Sequence, residues 1–160
     1  PWAAYGKPKS RGHNIITSLE LDSVKQEIFN HKLQAKYREM EKNDTRYEEI
    51  MCEDADYVIV AYGSSARISH KALQLAREKG IKVGLLRPIT LFPFPSEPIK
   101  QLAQRVKGIL TVEMSAGQMV KDVQLASEFK CPVKYFGRYG GIIPTPQEVL
   151  EALENDLIKG

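Results

Sequence analysis

The 160-residue sequence predicts an α/β fold: a three-layer α/β/α sandwich on a mostly parallel sheet, preceded by a helical arm. Three observations carry that expectation. From Asp54 onward, short apolar runs rich in β-branched residues alternate with segments whose apolar residues recur at helical spacing. The junctions are short and hold glycine, serine or proline. Helices that carry the chain back between such strands impose parallel pairing and cover both faces of the sheet.

Composition sets the outer limits. A hydrophobic content of 42% with 27% charged residues is ordinary for a globular protein, and 160 residues suffice to bury one core. A net charge of +3 is too small to argue for a nucleic-acid partner. No apolar run approaches the roughly 18 residues of a membrane span. Cys52 and Cys131 lie far apart and form no CxxC pair, so neither a disulfide framework nor an iron–sulfur cluster is expected. That cysteine usage fits a reducing, cytoplasmic setting. The chain opens Pro-Trp-Ala-Ala without an initiator methionine, as an excised domain or fragment would. The expected division is a linker and helical arm over 1–53 and the α/β domain over 54–160.

Residues 1–20 show no sustained period. Trp2 and Tyr5 are candidates to pin this arm to a neighbour, against the simpler reading of a linker. Asp22 or Ser23 caps a helix predicted to run to about Lys42. Its apolar residues fall on two faces: Leu21, Val24, Ile28 and Ala35 on one, and Phe29, Leu33, Tyr37 and Met40 on another. A helix packed on one core needs a single stripe, so two stripes predict a subunit or domain interface. Thr45 to Met51 reads as a short turn.

The regular pattern then begins. Tyr57–Tyr62 is a buried strand, broken at Gly63-Ser64-Ser65, and a helix follows to about Lys79 with Ile68, Ala72, Leu75 and Ala76 inward. Gly80 sits at the C′ position. Lys82–Leu86 is the second strand, and Arg87–Pro95 is a proline-punctuated loop. Ser96 caps a helix that turns Ile99, Leu102, Ala103 and Val106 inward, and Gly108 stops it. Ile109–Glu113 is the third strand, and Ser115–Gln118 turns into a helix ending near Phe129. Pro132–Phe136 is the fourth strand. Thr145-Pro146-Gln147-Glu148 has capping-box spacing with proline at N1, opening a last helix with Val149, Leu150, Leu153 and Leu157 inward.

Ligands of open α/β sheets bind beyond the carboxyl ends of the strands, where Gly63–Ser65, Arg87–Pro95, Glu113–Gln118 and Gly137–Gly141 fall. The free N–H groups and dipole at the start of the helix after Gly63 suit an anion. The turn lacks GxGxxG spacing and a Walker lysine, so a simple tight turn competes with that reading. Glu113 closes a buried strand and needs a partner to offset desolvation; Arg87 is expected to supply it, with Gln118 adding hydrogen bonds. Arg138, between Gly137 and Gly140-Gly141, can reach either an anionic ligand or a cluster of carbonyls. Gly63, Ser64, Ser65 and Arg138 are therefore the candidate anion-binding residues. His13, His31 and His70 lack metal-ligand spacing, and no nucleophile–base arrangement assembles, so no catalytic residue and no metal ligand is assigned.

Several segments also carry a resemblance. Val60-Ala61-Tyr62-Gly63-Ser64, the run Gly84-Leu85-Leu86-Arg87-Pro88-Ile89-Thr90-Leu91-Phe92-Pro93-Phe94-Pro95, and Val112-Glu113-Met114 with Gly117-Gln118-Met119 resemble the α subunit of 2-oxoacid:ferredoxin oxidoreductases. Arg138-Tyr139-Gly140-Gly141 with Pro144-Thr145-Pro146 resembles that subunit's end, and order and spacing agree from about Asp54 to Leu153. A more distant resemblance is to the carboxy-terminal domain of transketolase and of the dehydrogenase E1 β chains. The resemblance implies a transketolase carboxy-terminal-type sheet with one antiparallel edge strand. It implies a parent enzyme that oxidatively decarboxylates a 2-oxoacid, 2-oxoglutarate first and a branched-chain 2-oxoacid next. By resemblance that enzyme uses thiamine diphosphate, Mg, coenzyme A and iron–sulfur clusters. Its partners would be a thiamine-binding β subunit, an upstream domain of the same subunit and ferredoxin, in an oligomer. No Gly-Asp-Gly diphosphate motif occurs here, so no cofactor is expected on this chain. The implied role is a non-catalytic domain supporting assembly, with an anion- or coenzyme A-binding or regulatory domain, or an E1 β/transketolase-type domain, as alternatives.

Overall fold

The computed structural model describes residues 6, 8–15 and 17–159; Trp2 and Tyr5 lie outside them. By compactness the chain divides into 1–37 and 38–160.

In the first unit, helix α1 (Ser23–Asn43) begins, and it runs on into the second. The Asp22 carboxylate accepts from the backbone N–H groups of Val24 and Lys25 at 3.0 and 3.1 Å, which resolves the cap in favour of Asp22. No residue of α1 is buried. Leu21, Val24 and Ile28 are 88%, 64% and 64% exposed, whereas Leu33, Tyr37 and Met40 on the other stripe are half-covered.

In the second unit, five strands form one sheet in the order β1-β3-β2-β4-β5. These are β1 (Tyr47–Ile50), β2 (Tyr57–Ala61), β3 (Val83–Pro88), β4 (Gly108–Glu113) and β5 (Val133–Gly137). The last four pair in parallel, and β1 runs antiparallel along β3, from Tyr47 opposite Pro88 to Ile50 opposite Leu85. The turn expected over Thr45–Met51 is thus the antiparallel edge strand that the resemblance implies. The sheet accordingly takes a strand from residues before Asp54, ahead of the boundary expected there.

Alternation along the central strands builds two cores, since successive side chains point to opposite faces. Ile59, Leu85, Leu110 and Val112 pack under α2 (Gly63–Glu78) and α5 (Pro146–Ala152), meeting Leu73, Ala76, Val149 and Leu153. Val58, Val60, Leu86 and Ile109 pack under α3 (Ser96–Ala103) and α4 (Met119–Ala126), meeting Ile99, Leu102 and Val123. The last helix continues past α5 in wider π turns over Leu153–Ile158. α3 and α4 are shorter than their patterns suggest, yet Val106, beyond α3, is still buried. The close approach behind β3 requires glycine: a Cβ at Gly84 would lie 2.8 Å from Cys52 Sγ and 2.9 Å from the Met51 carbonyl.

Candidate anion-binding site

The candidate residues occupy strand-to-helix turns at one edge of the sheet, and each turn satisfies its helix start differently. After β2, Gly63 takes a left-handed φ of 55° and opens α2. Tyr62 stands at the N-cap without a side-chain hydrogen bond, so the first N–H groups of α2 have no side-chain acceptor. Gly63 and Ser64 are exposed, whereas Ser65 turns inward and is 3% exposed.

After β4 the helix start is filled from within. Glu113 is fully buried, and one carboxylate oxygen accepts from Gln118 N at 3.1 Å and Met119 N at 3.0 Å. The other oxygen accepts from Val120 N at 3.1 Å, and the Ser115 hydroxyl donates to the carboxylate as well. This corrects the expected Arg87–Glu113 pair. Arg87 lies opposite Glu48 in the β1–β3 register and holds that carboxylate at 2.9 Å, on an exposed strand face. The desolvation of Glu113 is offset by the N-terminus of α4, and Gln118 contributes its backbone N–H. Next to it, the Tyr135 hydroxyl donates to the Ser115 carbonyl at 2.5 Å, and a Cβ at Gly137 would overlap that tyrosine.

After β5 the chain caps its helix through a complete capping box. Thr145 Oγ1 accepts from Glu148 N at 3.2 Å while Glu148 accepts from Thr145 N at 2.8 Å. Arg138 donates to Glu148 Oε1 at 2.5 Å. The Thr145 N–H, then its hydroxyl, and after them the Arg138 charge, hold the Glu148 carboxyl below the usual carboxylate range. Arg138 Nε is buried without a partner.

The structure therefore separates the four candidates. Gly63 borders a cavity of about 200 Å³ whose other walls include Ala66, Arg67, His70, Leu85, Arg87 and Glu48. Arg138 is not among its lining residues; its guanidinium is committed to the capping carboxylate. Sequence reasoning missed Arg67 and His70. The available signal was their spacing from Gly63, four and seven residues along α2, which puts all three on one helix face beside the end of β3.

Comparison with known proteins places this geometry. Residues 55–149 match the model of the pyruvate:ferredoxin oxidoreductase core domain II. The ketoisovalerate oxidoreductase subunit VorB of Methanothermobacter marburgensis is 47% identical over 152 residues, covering 95% of this chain and 43% of that protein. The 2-oxoglutarate synthase subunit KorA of Methanothermobacter thermautotrophicus is 34% identical over 106 residues, covering 66% of this chain and 28% of that one. The chain thus spans less than half the length of these curated relatives. Among solved structures, the 2-oxoglutarate:ferredoxin oxidoreductase from Magnetococcus marinus, with 2-oxoglutarate, coenzyme A and succinyl-CoA bound, superposes with a TM-score of 0.74 at 20% identity. That superposition covers 86% of this chain and 24% of the other. A split-gene transketolase superposes with a TM-score of 0.60 at 21% identity, over 71% of this chain and 41% of its own. Both show the fold: a transketolase carboxy-terminal-type sheet. With its matching segment running from the loop before β2 into the last helix, the chain belongs to the pyruvate:ferredoxin oxidoreductase core domain II family.

Proposed function

We propose that this chain is a non-catalytic domain of a 2-oxoacid:ferredoxin oxidoreductase subunit, in an enzyme acting on a branched-chain 2-oxoacid. The observation that carries this reading is the extent of its similarity to the ketoisovalerate subunit, which includes the arm as well as the sheet domain. Similarity to the 2-oxoglutarate subunit covers 66% of the chain at lower identity, so the substrate expectation moves from 2-oxoglutarate to ketoisovalerate. The parent enzyme, by family, would draw on thiamine diphosphate, Mg, coenzyme A and iron–sulfur clusters. The described residues do not fit the metal groups. Glu113, the fully buried carboxylate, is saturated by α4 and Ser115, and no three His, Cys, Asp or Glu side chains gather among the described residues. Cys52 is buried, with its thiol pushed up to about 11 by burial, which makes it a poor thiolate ligand. The domain's part is then to present its strand edge and arm to the thiamine-binding partner subunit and the rest of its own subunit, with ferredoxin meeting the assembly elsewhere.

The test is the assembled enzyme containing this chain, assayed for coenzyme A-dependent reduction of ferredoxin. Ketoisovalerate is expected to exceed 2-oxoglutarate in kcat/KM by about tenfold or more, the scale on which one substrate side chain is told from another. A preference for 2-oxoglutarate overturns the substrate assignment, and decarboxylation by this chain alone overturns the non-catalytic role.

A second reading has its own observation: the cavity beside Gly63, with Arg67, His70 and Arg87 on its walls. Its size suits a single phosphate-like group rather than a whole nucleotide. Titration with inorganic phosphate should move the amide signals of Gly63 to Arg67. Silence there removes this reading and leaves the first untouched.

A further inference from the structure

The sheet ends in β1 on one side and β5 on the other, and the two edges are treated differently. β1 is blunted by charge: Glu48 and Glu49 occupy its middle, and Arg87 engages Glu48. β5 reads Val-Lys-Tyr-Phe-Gly with a single charge, and among the described residues it pairs with β4 alone. The even-numbered residues that bracket it turn toward β4. The Pro132 carbonyl accepts from Ile109 N at 2.9 Å, and Arg138 N donates to the Glu113 carbonyl at 3.3 Å. Backbone groups alternate in direction along a strand, so the N–H and C=O of Val133, Tyr135 and Gly137 point out of the sheet. Exposed apolar side chains flank this edge in sequence, Phe129 before it and Tyr139, Ile142 and Ile143 after it. An uncharged row of free donors and acceptors is a template for another strand.

We propose that β5 pairs antiparallel with β5 of a second copy of the chain, joining the two sheets across a two-fold axis at Tyr135. The strand is its own complement. Outward groups of one copy must meet outward groups of the other, so odd-numbered residues face odd-numbered ones and the axis falls on a residue. Charge then selects the residue, because like charges directly opposite one another are destabilising. An axis at Lys134 sets the two Lys134 side chains face to face. An axis at Phe136 sets Lys134 against Arg138 of the other copy. Axes further out leave almost none of β5 paired. At Tyr135 neither clash occurs: Lys134 faces Phe136 of the other copy, Val133 faces Gly137, and the two tyrosines face each other. The side chains fit that register. The Tyr135 ring lies over its own Gly137, where a Cβ would overlap it, and Val133 of the other copy comes up beside the ring. On the opposite face Lys134 reaches the Phe136 ring of the other copy, a cation–π contact made twice. The inference rests on the sheet and not on the reaction proposed above, so its failure leaves the family and the proposed function as they stand.

Sedimentation equilibrium of the 160-residue chain from ~1 to ~200 µM tests it, a range that brackets a micromolar Kd. The expected species is a dimer of twice 18.1 kDa. Phe136→Lys sets the new lysine against Lys134 of the other copy, twice in each dimer, and should raise Kd at least about tenfold. Adding Lys134→Glu to that variant turns both repulsions into ion pairs and should restore a Kd within about threefold of the parent. A second readout needs no substitution: amide exchange of Val133, Tyr135 and Gly137 should slow as the parent chain is concentrated through its Kd. A parent chain that stays monomeric, a Phe136→Lys dimer as tight as the parent, a folded double variant that stays monomeric, or exchange at those three amides indifferent to concentration overturns the proposal.

Discussion

The turns after β2 and β4 occupy the same edge of one sheet, and they solve the same problem in opposite ways. Each must satisfy the free N–H groups at a helix start. At α4 the chain supplies its own anion: Glu113 takes three backbone N–H groups and a serine hydroxyl and disappears from solvent. At α2 the chain supplies none; a left-handed glycine and two serines leave the helix start without a side-chain cap, beside a small cavity lined by Arg67, His70 and the Arg87–Glu48 pair. An internal carboxylate converts a helix N-terminus from a site into a structural joint. Of the two turns, the one after β2 opens its helix without a side-chain cap.

Substitutions at the two turns should therefore behave differently. The largest effect is expected at Glu113→Ala, which strips the α4 start of its acceptor and leaves buried donors unpaired. Urea unfolding should show a loss of about 3 kcal/mol. Gly63→Ala tests the open turn: a Cβ there meets nothing within 4 Å, so the cost is that of the left-handed backbone alone, about 1–2 kcal/mol. Thr145→Ala removes the acceptor half of the capping box at the third turn and should cost about 1 kcal/mol. Arg67→Ala, on the exposed cavity wall, should shift stability by no more than about 0.5 kcal/mol while weakening any binding of phosphate.

The acid response sharpens the comparison further. Glu148 is held below its ordinary value by the Thr145 N–H and hydroxyl, and Asp54, Glu128 and Glu154 are lowered by Arg77, Lys100 and Lys79. A carboxyl lowered in the folded state adds stability above its ordinary range and loses it as pH falls through its depressed value. Stability should hold from neutral pH to about 5 and decline below about 4. Thr145→Ala should flatten part of that decline. At the alkaline end the sign reverses: the raised Cys52 thiol favours the folded state below its ordinary 9.0, and that contribution disappears as pH rises toward 11.

Much of this architecture was legible from residue order. The runs Tyr57–Tyr62 and Ile109–Val112 announce central strands because consecutive residues, rather than alternate ones, are apolar, as burial on both faces demands. The capping box at Thr145 was legible because its signal is local, four residues long and made by side chains. β1 was not, since Tyr-Glu-Glu-Ile is a charged edge strand that exists only through its pairing with β3. The Glu113 partners were hidden for a different reason. They are backbone N–H groups, which no letter of the sequence marks, whereas Arg87 is a visible cation at the end of the neighbouring run. That arginine was already matched across the strands by Glu48. The two-striped character of α1 was visible as a pattern, but what covers it depends on surfaces that a one-dimensional pattern does not contain.

The domain is proposed above to support an oxidoreductase without taking part in its chemistry. Steady-state turnover of the assembled enzyme, with Arg67→Ala and Arg138→Ala introduced separately into this chain, tests that claim most directly. The expected kcat is within about threefold of the parent enzyme for both variants, with any phosphate contact at the Gly63 cavity appearing as a higher KM for the ligand in Arg67→Ala alone. A loss of kcat of about a hundredfold or more in either variant, with assembly intact, is the size of effect expected from removing a group that stabilises transition-state charge, and it would place that arginine in the chemistry.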